Sequence, residues 1–441
     1  MLIFIDYNNK GVHLPMFGSV SILEINSGVF YPMVESKKQK ILILSGDYGD
    51  GHKQAARALS EASLASRPDI EVEIVDFMAW THPHLHLVGK YLYLQLVKNF
   101  PVFYGYLFQH TRNDTTMSYI FKKIRSFSLS RMVKLLEDVQ PDIIVSTFPS
   151  AAAAISTLKA KGLTTVPTVT IMTDHTDHSY WLHPFTDQYL VGSEHVSQLL
   201  QREHGIDASQ ISVTGIPIRS HFCEEYDQAH LKEIHGLSTE LPIVMVMGGG
   251  LGMIGKEFIQ LLQSDALPKI IQFVIVCGHN HKLKMKLTQE LKNTKHSILL
   301  TGYIQHVHEI MAISDLIVTK PGGLTISEAL ALELPMLLYK PLPGQEQDNA
   351  AFLIKAGAAL QAKDEIELLN QLTAIFLNQQ TLPTLKLKAK SFQMKSATLD
   401  ALTAILQTES CGIIPQSKWS IYRYQRYISL FFRRKLAGRS S

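Results

Sequence analysis

The chain has 441 residues, and its 42 lysine and arginine residues against 39 aspartate and glutamate residues leave a formal net charge of only +3. Hydrophobic residues make up 46% of the sequence and charged residues 18%, which excludes a disordered chain and predicts two domains. The small net charge gives no support to nucleic-acid binding. The three cysteines lack CxxC spacing, so the sequence predicts neither a zinc site nor a disulfide framework, and we expect a reducing compartment.

The N-terminal segment differs in character from the rest of the chain. No basic region precedes its short apolar run, which argues against a signal peptide. No stretch of the sequence reaches the roughly 18 apolar residues that a membrane-spanning helix needs. A polar run from Glu35 to Lys40 then leads into a strong strand. We interpret residues 1–38 as an extension, with Met33 as an alternative start.

Two series of apolar runs follow, and each alternates with segments of helical periodicity. Continuous Ile, Val and Leu runs indicate strands that helices cover on both faces, as in a parallel α/β sheet. The first series has runs at residues 40–44, 71–76, 141–146, 169–172 and 188–191, and the second at 242–247, 272–277, 297–300, 316–319 and 335–339. We predict an α/β chain with two Rossmann-like domains, residues 39–218 and 219–405, that face a central cleft.

Two segments interrupt this rhythm. Residues 80–125 are rich in His, Tyr, Phe and Leu, and Tyr91, Phe103 and Tyr104 lie in this segment. The tail, residues 406–441, carries seven Lys and Arg residues and no acidic residue from Lys418 onward, interleaved with aromatic residues that include Trp419. Cations beside interfacial aromatic side chains favour peripheral contact with an anionic membrane surface. A helical lid and a disordered end are the simpler interpretations of the two segments.

The strongest motif runs from Thr319 to Leu330 (TKPGGLTISEAL) and follows a predicted strand. Gly322 and Gly323 allow a tight turn, and Leu324 and Thr325 then open a helix whose free N–H groups suit a diphosphate. Glu328, expected on the first turn, is an acceptor for ribose hydroxyls. A plain strand-turn-helix corner is the alternative.

A second motif lies about twenty residues further on, from Pro341 to Ala350 (PLPGQEQDNA). Gln345, Glu346 and Asn349 supply the donors and acceptors that a hexose with several hydroxyls requires. On its own this motif is equally typical of a solvated helix start. Its spacing from the first motif favours a shared cleft.

The first half carries two further motifs at predicted strand ends. Ser45 to Ala56 (SGDYGDGHKQAA) matches neither a dinucleotide fingerprint nor a Walker loop, and it presents His52 at a helix start. Ile171 to His178 (IMTDHTDH) presents Asp174. Its histidines and aspartates raise the possibility of a metal site, but no second cluster with ligand spacing accompanies them.

Together these motifs resemble glycosyltransferase family 28, and within it the bacterial processive diacylglycerol β-glucosyltransferases and the plant monogalactosyldiacylglycerol synthases. The resemblance covers roughly residues 39–400 and is most specific at 49–56, 172–174 with Trp181 and His183, 215–219, 320–325 and 343–349. The residues of the last two motifs resemble those of the glucosyl enzymes of Gram-positive bacteria more closely than those of the plant galactosyl enzymes.

The resemblance implies a GT-B fold, an inverting reaction, UDP-glucose as donor, diacylglycerol as acceptor and no cofactor or bound metal. It implies that residues 322–325 bind the diphosphate, that Glu328 binds the ribose and that Gln345 and Glu346 read the sugar. The resemblance also implies that Ile304 borders uracil. It implies that His52 is the catalytic base or orients the acceptor, with Asp174 as the alternative residue for this role. Arg219 or Lys256 would add a positive charge.

The acceptor lipid implies a cytoplasmic enzyme that is peripheral on the inner face of the cell membrane. We group Tyr91, Phe103, Tyr104, Trp181 and Trp419 as the acceptor and membrane contacts. The alternatives are another GT-B enzyme, such as a galactosyl or N-acetylglucosaminyl transferase or a nucleotide-sugar epimerase, and a degenerate UDP-sugar sensor that binds membranes.

Overall fold

A computed structural model describes residues 38–112, 129–248, 256–263, 267–268, 270–291 and 294–410, together with the backbone of two short strands before them. The chain forms two compact units, Met1–Gln39 and Lys40–Ser441. In the first unit, β1 (Ser21–Leu23) pairs antiparallel with β2 (Tyr31–Met33). The predicted contacts of Trp419 and of the Lys256 side chain lie outside the described residues.

The first half of the larger unit is built on a six-stranded sheet with the order β4-β3-β5-β6-β7-β8. Pairing from β3 to β5 and onward to β8 is parallel. The strands are β3 (Gln39–Ser45), β4 (Ile70–Asp76), β5 (Ile143–Ser146), β6 (Thr168–Ile171), β7 (Gln188–Val191) and β8 (Ile211–Val213). The helices are α1 (Asp50–Ser66), α2 (Phe77–Thr81), α3 (His86–Asn99), α4 (Pro101–Thr111), α5 (Leu129–Val139), α6 (Pro149–Ala160) and α7 (Glu194–His204).

The second half has a parallel six-stranded sheet with the order β11-β10-β9-β12-β13-β14. The strands are β9 (Ile243–Met247), β10 (Gln272–Val276), β11 (Ser297–Thr301), β12 (Leu316–Thr319), β13 (Met336–Tyr339) and β14 (Ala359–Ala362). The helices are α8 (Gln228–Ile234), α9 (Lys256–Gln263), α10 (His281–Glu290), α11 (Val307–Ile313), α12 (Gly323–Ala331), α13 (Gln345–Ala356), α14 (Glu365–Leu377), α15 (Thr381–Ser391) and α16 (Ala397–Leu406).

Both sheets confirm the predicted Rossmann-like architecture, and the reason lies in strand burial. All residues of β5 and β10 are buried, because helices cover both faces of each sheet. In each sheet the strand order reverses direction beside the first strand, between β3 and β5 and between β9 and β12. Ligands of such sheets bind beyond the carboxyl ends of the strands at these points, and the predicted motifs begin there.

The last described helix crosses back to the first half. Ala401, Leu402 and Ile405 of α16 pack in the core formed by β3, β5 and β6. The Thr398 hydroxyl donates to the Ile218 carbonyl at 2.6 Å and accepts from the Ile218 N–H at 3.0 Å, which fixes the linker between the halves. From the sequence we assigned residues 219–405 to the donor domain. The packing of α16 on the first half was not predicted.

A buried ion pair fixes the start of β6, the strand that leads to Asp174. Lys159 of α6 donates to the Asp187 carboxylate, and both side chains are almost completely buried. The same carboxylate accepts from the Thr168 N–H at 2.7 Å and from the Thr168 hydroxyl at 2.9 Å. A buried carboxylate needs this full set of partners because it has lost its hydration.

Replacing Lys159 with Met would leave the Asp187 carboxylate buried without its counter-charge. We expect a loss of about 3–5 kcal/mol in the free energy of unfolding, measured by urea denaturation. The exposed neighbour Lys161 provides the control, since Lys161→Met should change it by no more than about 0.5 kcal/mol. Equal effects of the two substitutions would contradict this account.

Candidate functional site

The loop after β3 brings His52 into the cleft on the first turn of α1. Gly46 is required in this loop because a Cβ atom there would lie 2.6 Å from the Phe148 ring. The His52 ring centroid lies 5.3 Å from that of Phe148 and 5.9 Å from that of Trp181. His52 Nδ1 lies 3.0 Å from the Thr173 hydroxyl, and the ring also bonds to the Thr147 backbone. Burial lowers the pKa of His52 to about 4, so the imidazole is neutral at physiological pH.

Asp174 lies just beyond the end of β6 and touches the opposite half. Its carboxylate accepts from the Asn349 side-chain amide at 2.8 Å and from the Gly323 N–H. Burial raises its pKa to about 7, the nearby Glu346 carboxylate adds to the rise, and the hydrogen bond from Asn349 opposes it. Asp174 therefore takes up a proton far more easily than an ordinary aspartate.

Asn349 holds these two halves together instead of facing a ligand. Its side chain is 0% exposed. Besides the bond to Asp174, its amide donates to the Pro321 carbonyl at 2.9 Å, and its carbonyl oxygen accepts from the His175 N–H at 2.6 Å. All three bonds are made within the protein, so the predicted contact of Asn349 with the sugar would require one of them to be exchanged.

The start of α12 faces the first half at very short range. A Cβ atom at Gly323 would lie 2.0 Å from the Thr173 carbonyl oxygen, so only glycine fits at that position. A Cβ atom at Gly51 of α1 would lie 3.8 Å from Leu324 Cβ, which shows that the starts of α1 and α12 approach each other. Two helix N-termini thus converge on one region of the cleft, where their N–H groups, which have no partner within the helices, and their dipoles favour an anion.

The first turn of α13 also meets the first half. Tyr104 of α4 donates its hydroxyl hydrogen to Gln345 Oε1 at 2.8 Å. A Cβ atom at Gly105 would lie 2.4 Å from Pro343 Cβ, so α4 packs directly on this motif. Glu346 turns back to accept from the Leu342 N–H at 2.7 Å, and burial raises the pKa of its carboxyl. Gln345 and Glu346 border the cleft as predicted by position, although both are engaged with protein groups.

Glu328 and Arg219 form the opposite end of the predicted donor site. Glu328 is the sixth residue of α12 and therefore lies on its second turn, not on its first as expected. Burial raises the pKa of Glu328 to about 8, and the charge of Arg219 opposes the rise. The Arg219 guanidinium lies 5.7 Å from the Phe222 ring centroid, and its buried Nε has no hydrogen-bond partner among the described residues. Ile304 packs on the core beside this region.

An ion-pair network that the motifs did not reveal joins the halves. Arg112, at the end of α4, pairs with Asp177 of the first half and with Asp348 of α13. The Thr176 hydroxyl also donates to Asp348 at 2.7 Å, and His204 lies 3.1 Å from Asp177. Asp348 lies within the second motif, but no local pattern singles out Arg112. Within residues 174–178, Asp174 bonds to the second half, whereas Asp177 and His178 bond within the first half.

Two of the grouped acceptor and membrane residues are not on the surface. Trp181 is 1% exposed and packs behind His52, so it cannot touch a bilayer. Tyr104 faces Gln345 in the cleft. Tyr91 and Phe103 are, by contrast, 61% and 53% exposed on α3 and α4. Aromatic content alone did not distinguish these cases. Among the described residues no helix has the length and apolar character needed to cross a bilayer.

An aromatic path connects α3 with His52. Tyr93 of α3 stacks on Tyr48 at 5.5 Å between ring centroids. Tyr48 meets Phe148 edge-on at 5.7 Å, and Phe148 meets His52 at 5.3 Å. Asp47, in the same loop as Tyr48, holds Lys90 of α3 at 2.5 Å and Lys53 of α1 at 2.6 Å. The loop before His52 is thereby tied to the exposed helices.

Comparisons with known proteins assign both halves. The family model described as monogalactosyldiacylglycerol (MGDG) synthase matches residues 52–218, and that of the glycosyltransferase family 28 C-terminal domain matches residues 243–400. A processive diacylglycerol β-glucosyltransferase of Bacillus cereus (strain B4264) is 32% identical over 370 residues, which cover 84% of this chain and 94% of the relative.

Solved structures share the two-domain fold at low sequence identity. The MurG protein of Acinetobacter baumannii superposes with a TM-score of 0.54 at 16% identity, over 84% of this chain and 99% of that one. A UDP-GlcNAc 2-epimerase from Neisseria meningitidis superposes with a TM-score of 0.55 at 15% identity. The match covers 84% of this chain and 100% of that one. These likenesses establish the GT-B fold alone. The sequence matches cover both halves of the cleft described above. The chain therefore belongs to glycosyltransferase family 28, alongside the processive diacylglycerol β-glucosyltransferases.

Proposed function

We propose that this protein is an inverting glucosyltransferase that moves glucose from UDP-glucose to diacylglycerol at the membrane surface. The observation that carries the proposal is the convergence of two glycine-bearing helix starts, those of α1 and α12, beside His52. The relative from Bacillus cereus, named for diacylglycerol glucosylation, supports this choice of donor and acceptor. The chain carries the motifs that the resemblance assigns to donor and acceptor, at residues 45–56, 171–178, 319–330 and 341–350.

The diphosphate of the donor belongs at the start of α12. The N–H groups of Gly323, Leu324 and Thr325 have no partner within the helix and stabilise negative charge as it develops on the leaving group. Because the Gly323 N–H is bonded to Asp174 in this structure, donor binding would exchange the carboxylate for a phosphate oxygen. Glu328 and Ile304 then lie toward the ribose and uracil, and Gln345 and Glu346 toward the glucose.

The reaction forms a bond between the acceptor hydroxyl oxygen and the anomeric carbon. The bond from that carbon to the diphosphate breaks, and UDP leaves with the electron pair. The hydroxyl proton passes to Nε2 of His52, in the tautomer whose Nδ1 carries the ring hydrogen and donates it to the Thr173 hydroxyl oxygen. We assign the proton acceptor to His52 because it ends the aromatic path from α3, whereas Asp174 lies against the donor helix. No metal enters this scheme.

The acceptor would arrive through an exposed apolar surface on α3 and α4, which we call the α3–α4 surface. Its exposed side chains are Leu85, Leu87, Val88, Tyr91, Leu92, Phe100, Val102, Phe103 and Tyr106. Contiguous apolar surface of this kind marks a protein or membrane contact. Residues 77–112 contain lysine, arginine and histidine but no acidic residue, which favours an anionic leaflet. We place the enzyme at the inner face of the cell membrane, where the nucleotide sugar is available.

Product analysis tests the function directly. Purified full-length protein, labelled UDP-glucose and vesicles of diacylglycerol with phosphatidylglycerol should yield glucosyl-diacylglycerol on thin-layer plates, with little product from UDP-galactose or UDP-N-acetylglucosamine. Gln345→Ala should raise KM for UDP-glucose about three- to tenfold through loss of a hydrogen bond. Gln347→Ala, an exposed change on the same helix, should have no effect. Absence of any labelled lipid would refute the proposal and leave a UDP-sugar sensor.

The pH dependence of kcat distinguishes the two candidate bases. His52 has a pKa of about 4 and is already in its base form above that value, so its titration should leave kcat flat between pH 5 and pH 8. If Asp174 were the base, kcat would instead fall as the pH drops through about 7. His52→Ala should lower kcat about 10²–10⁴-fold, and the exposed His230→Ala should not. An acid limb near pH 7 that Asp174→Asn abolishes would move the role to Asp174.

Vesicle sedimentation tests the α3–α4 surface. Val102, in the middle of this surface, is 81% exposed. Val102→Asp and Phe103→Asp should each weaken binding to vesicles that contain phosphatidylglycerol at least tenfold, because a charge replaces apolar contact. The matched control is Leu377→Asp on α14, which is also exposed. A loss on deletion of residues 418–441 without any effect of the helix substitutions would assign membrane binding to the tail instead.

A further inference from the structure

A group of metal-ligating side chains lies at the start of α11, in the second half. Each of His306, His308 and Glu309 offers a ligand atom, and these atoms all lie within 4.8 Å of one another. Among the described residues, the His-rich segment after β6 forms no such group. The group at α11 plays no part in the transfer scheme above.

His308 is the best evidence that something is bound at this place. It is 5% exposed, and its buried Nδ1 has no hydrogen-bond partner among the described residues. Its ring stacks on that of His221 at 4.9 Å and 19°, and meets Phe222 edge-on at 5.9 Å. A buried polar atom without a partner is uncommon and calls for an explanation.

The Glu309 carboxylate is held in place by a neighbouring histidine. His235, at the end of α8, lies with Nε2 2.9 Å from Glu309 Oε2. One carboxylate oxygen is therefore fixed, and the other is left for a ligand. Metal-binding carboxylates and imidazoles are commonly oriented by such outer hydrogen bonds. His306, immediately before α11, is exposed, so its ring is free to rotate toward the other two.

We propose that His306, His308 and Glu309 bind a divalent transition-metal ion of the zinc class, with His235 as the outer partner of Glu309. Two imidazoles and one carboxylate are a ligand set that zinc accepts, with water at the fourth position. Tetrahedral binding needs donor separations of about 3.3 Å, which rotation of the exposed His306 ring can supply. The other charged or titratable groups that bear on His308 are Arg219 and His221.

Such an ion would connect three separate pieces of the second half. His306 ends the turn that carries Ile304, His308 packs against the linker residues His221 and Phe222, and Glu309 is joined to α8 through His235. The ion would hold the turn predicted to border uracil against the linker that carries Arg219. It therefore acts as a structural clamp at the rim of the donor site, and it supplies no catalytic step.

Isothermal titration of Zn²⁺ into untagged, chelator-treated full-length protein tests the site. We expect one equivalent bound with micromolar or tighter affinity, and a four-coordinate absorption spectrum when Co²⁺ replaces Zn²⁺. His306→Ala and Glu309→Gln should each weaken binding at least tenfold, and His235→Ala about tenfold. The control is His281→Ala, an exposed histidine on α10 that lies outside the group.

His306→Ala is the decisive variant, because its exposed side chain can be removed without disturbing the core. Near-ultraviolet circular dichroism would verify that each variant keeps the wild-type fold. Absence of a one-equivalent site in the wild-type protein, or wild-type affinity in His306→Ala, would overturn the proposal. Because the readout is metal binding, either result is independent of whether the protein transfers glucose.

Discussion

The close contact between the start of α12 and the end of β6 governs the rest of the site. Glycine at position 323 lets the backbone of one half approach the Thr173 carbonyl of the other, so a helix N-terminus points into the first half. The positive ends of α1 and α12 then share one space, which requires a negative group. In this structure the Asp174 carboxylate provides it. The raised pKa of this carboxyl weakens its negative charge, and under the proposed function the donor diphosphate would take its place.

The first turn of α13 is a second place where the two halves meet. Gln345, Asp348 and Asn349 are bonded respectively to Tyr104, Arg112 and Asp174, which all belong to the first half. A ligand that engages this turn therefore changes contacts between the halves as well as its own. Under the proposed function, donor binding at this turn would act on α4, which is one of the two helices that present the α3–α4 surface.

The sequence predicts the two sheets and the glycine-rich corners because these features depend on local patterns. Buried parallel strands are continuous apolar runs, and a helix start beside a ligand needs small residues. The pattern does not show what lies across space. Nothing in α16 indicates which sheet it covers, and neither Trp181 nor Tyr104 reveals whether it faces the interior or a membrane. The inward turn of Asn349 likewise depends on Asp174, which is 175 residues away.

A membrane acceptor imposes a geometric requirement that the first half meets. The reacting hydroxyl has to reach a group enclosed in the cleft while the acyl chains stay in an apolar medium. The rings of Tyr93, Tyr48 and Phe148 span that distance in steps of 5.3 to 5.7 Å and end at His52. Asp47 binds both Lys90 and Lys53 and so connects the outer helix α3 to the start of α1. Contact of α3 with lipid would therefore act directly on the residue that receives the proton.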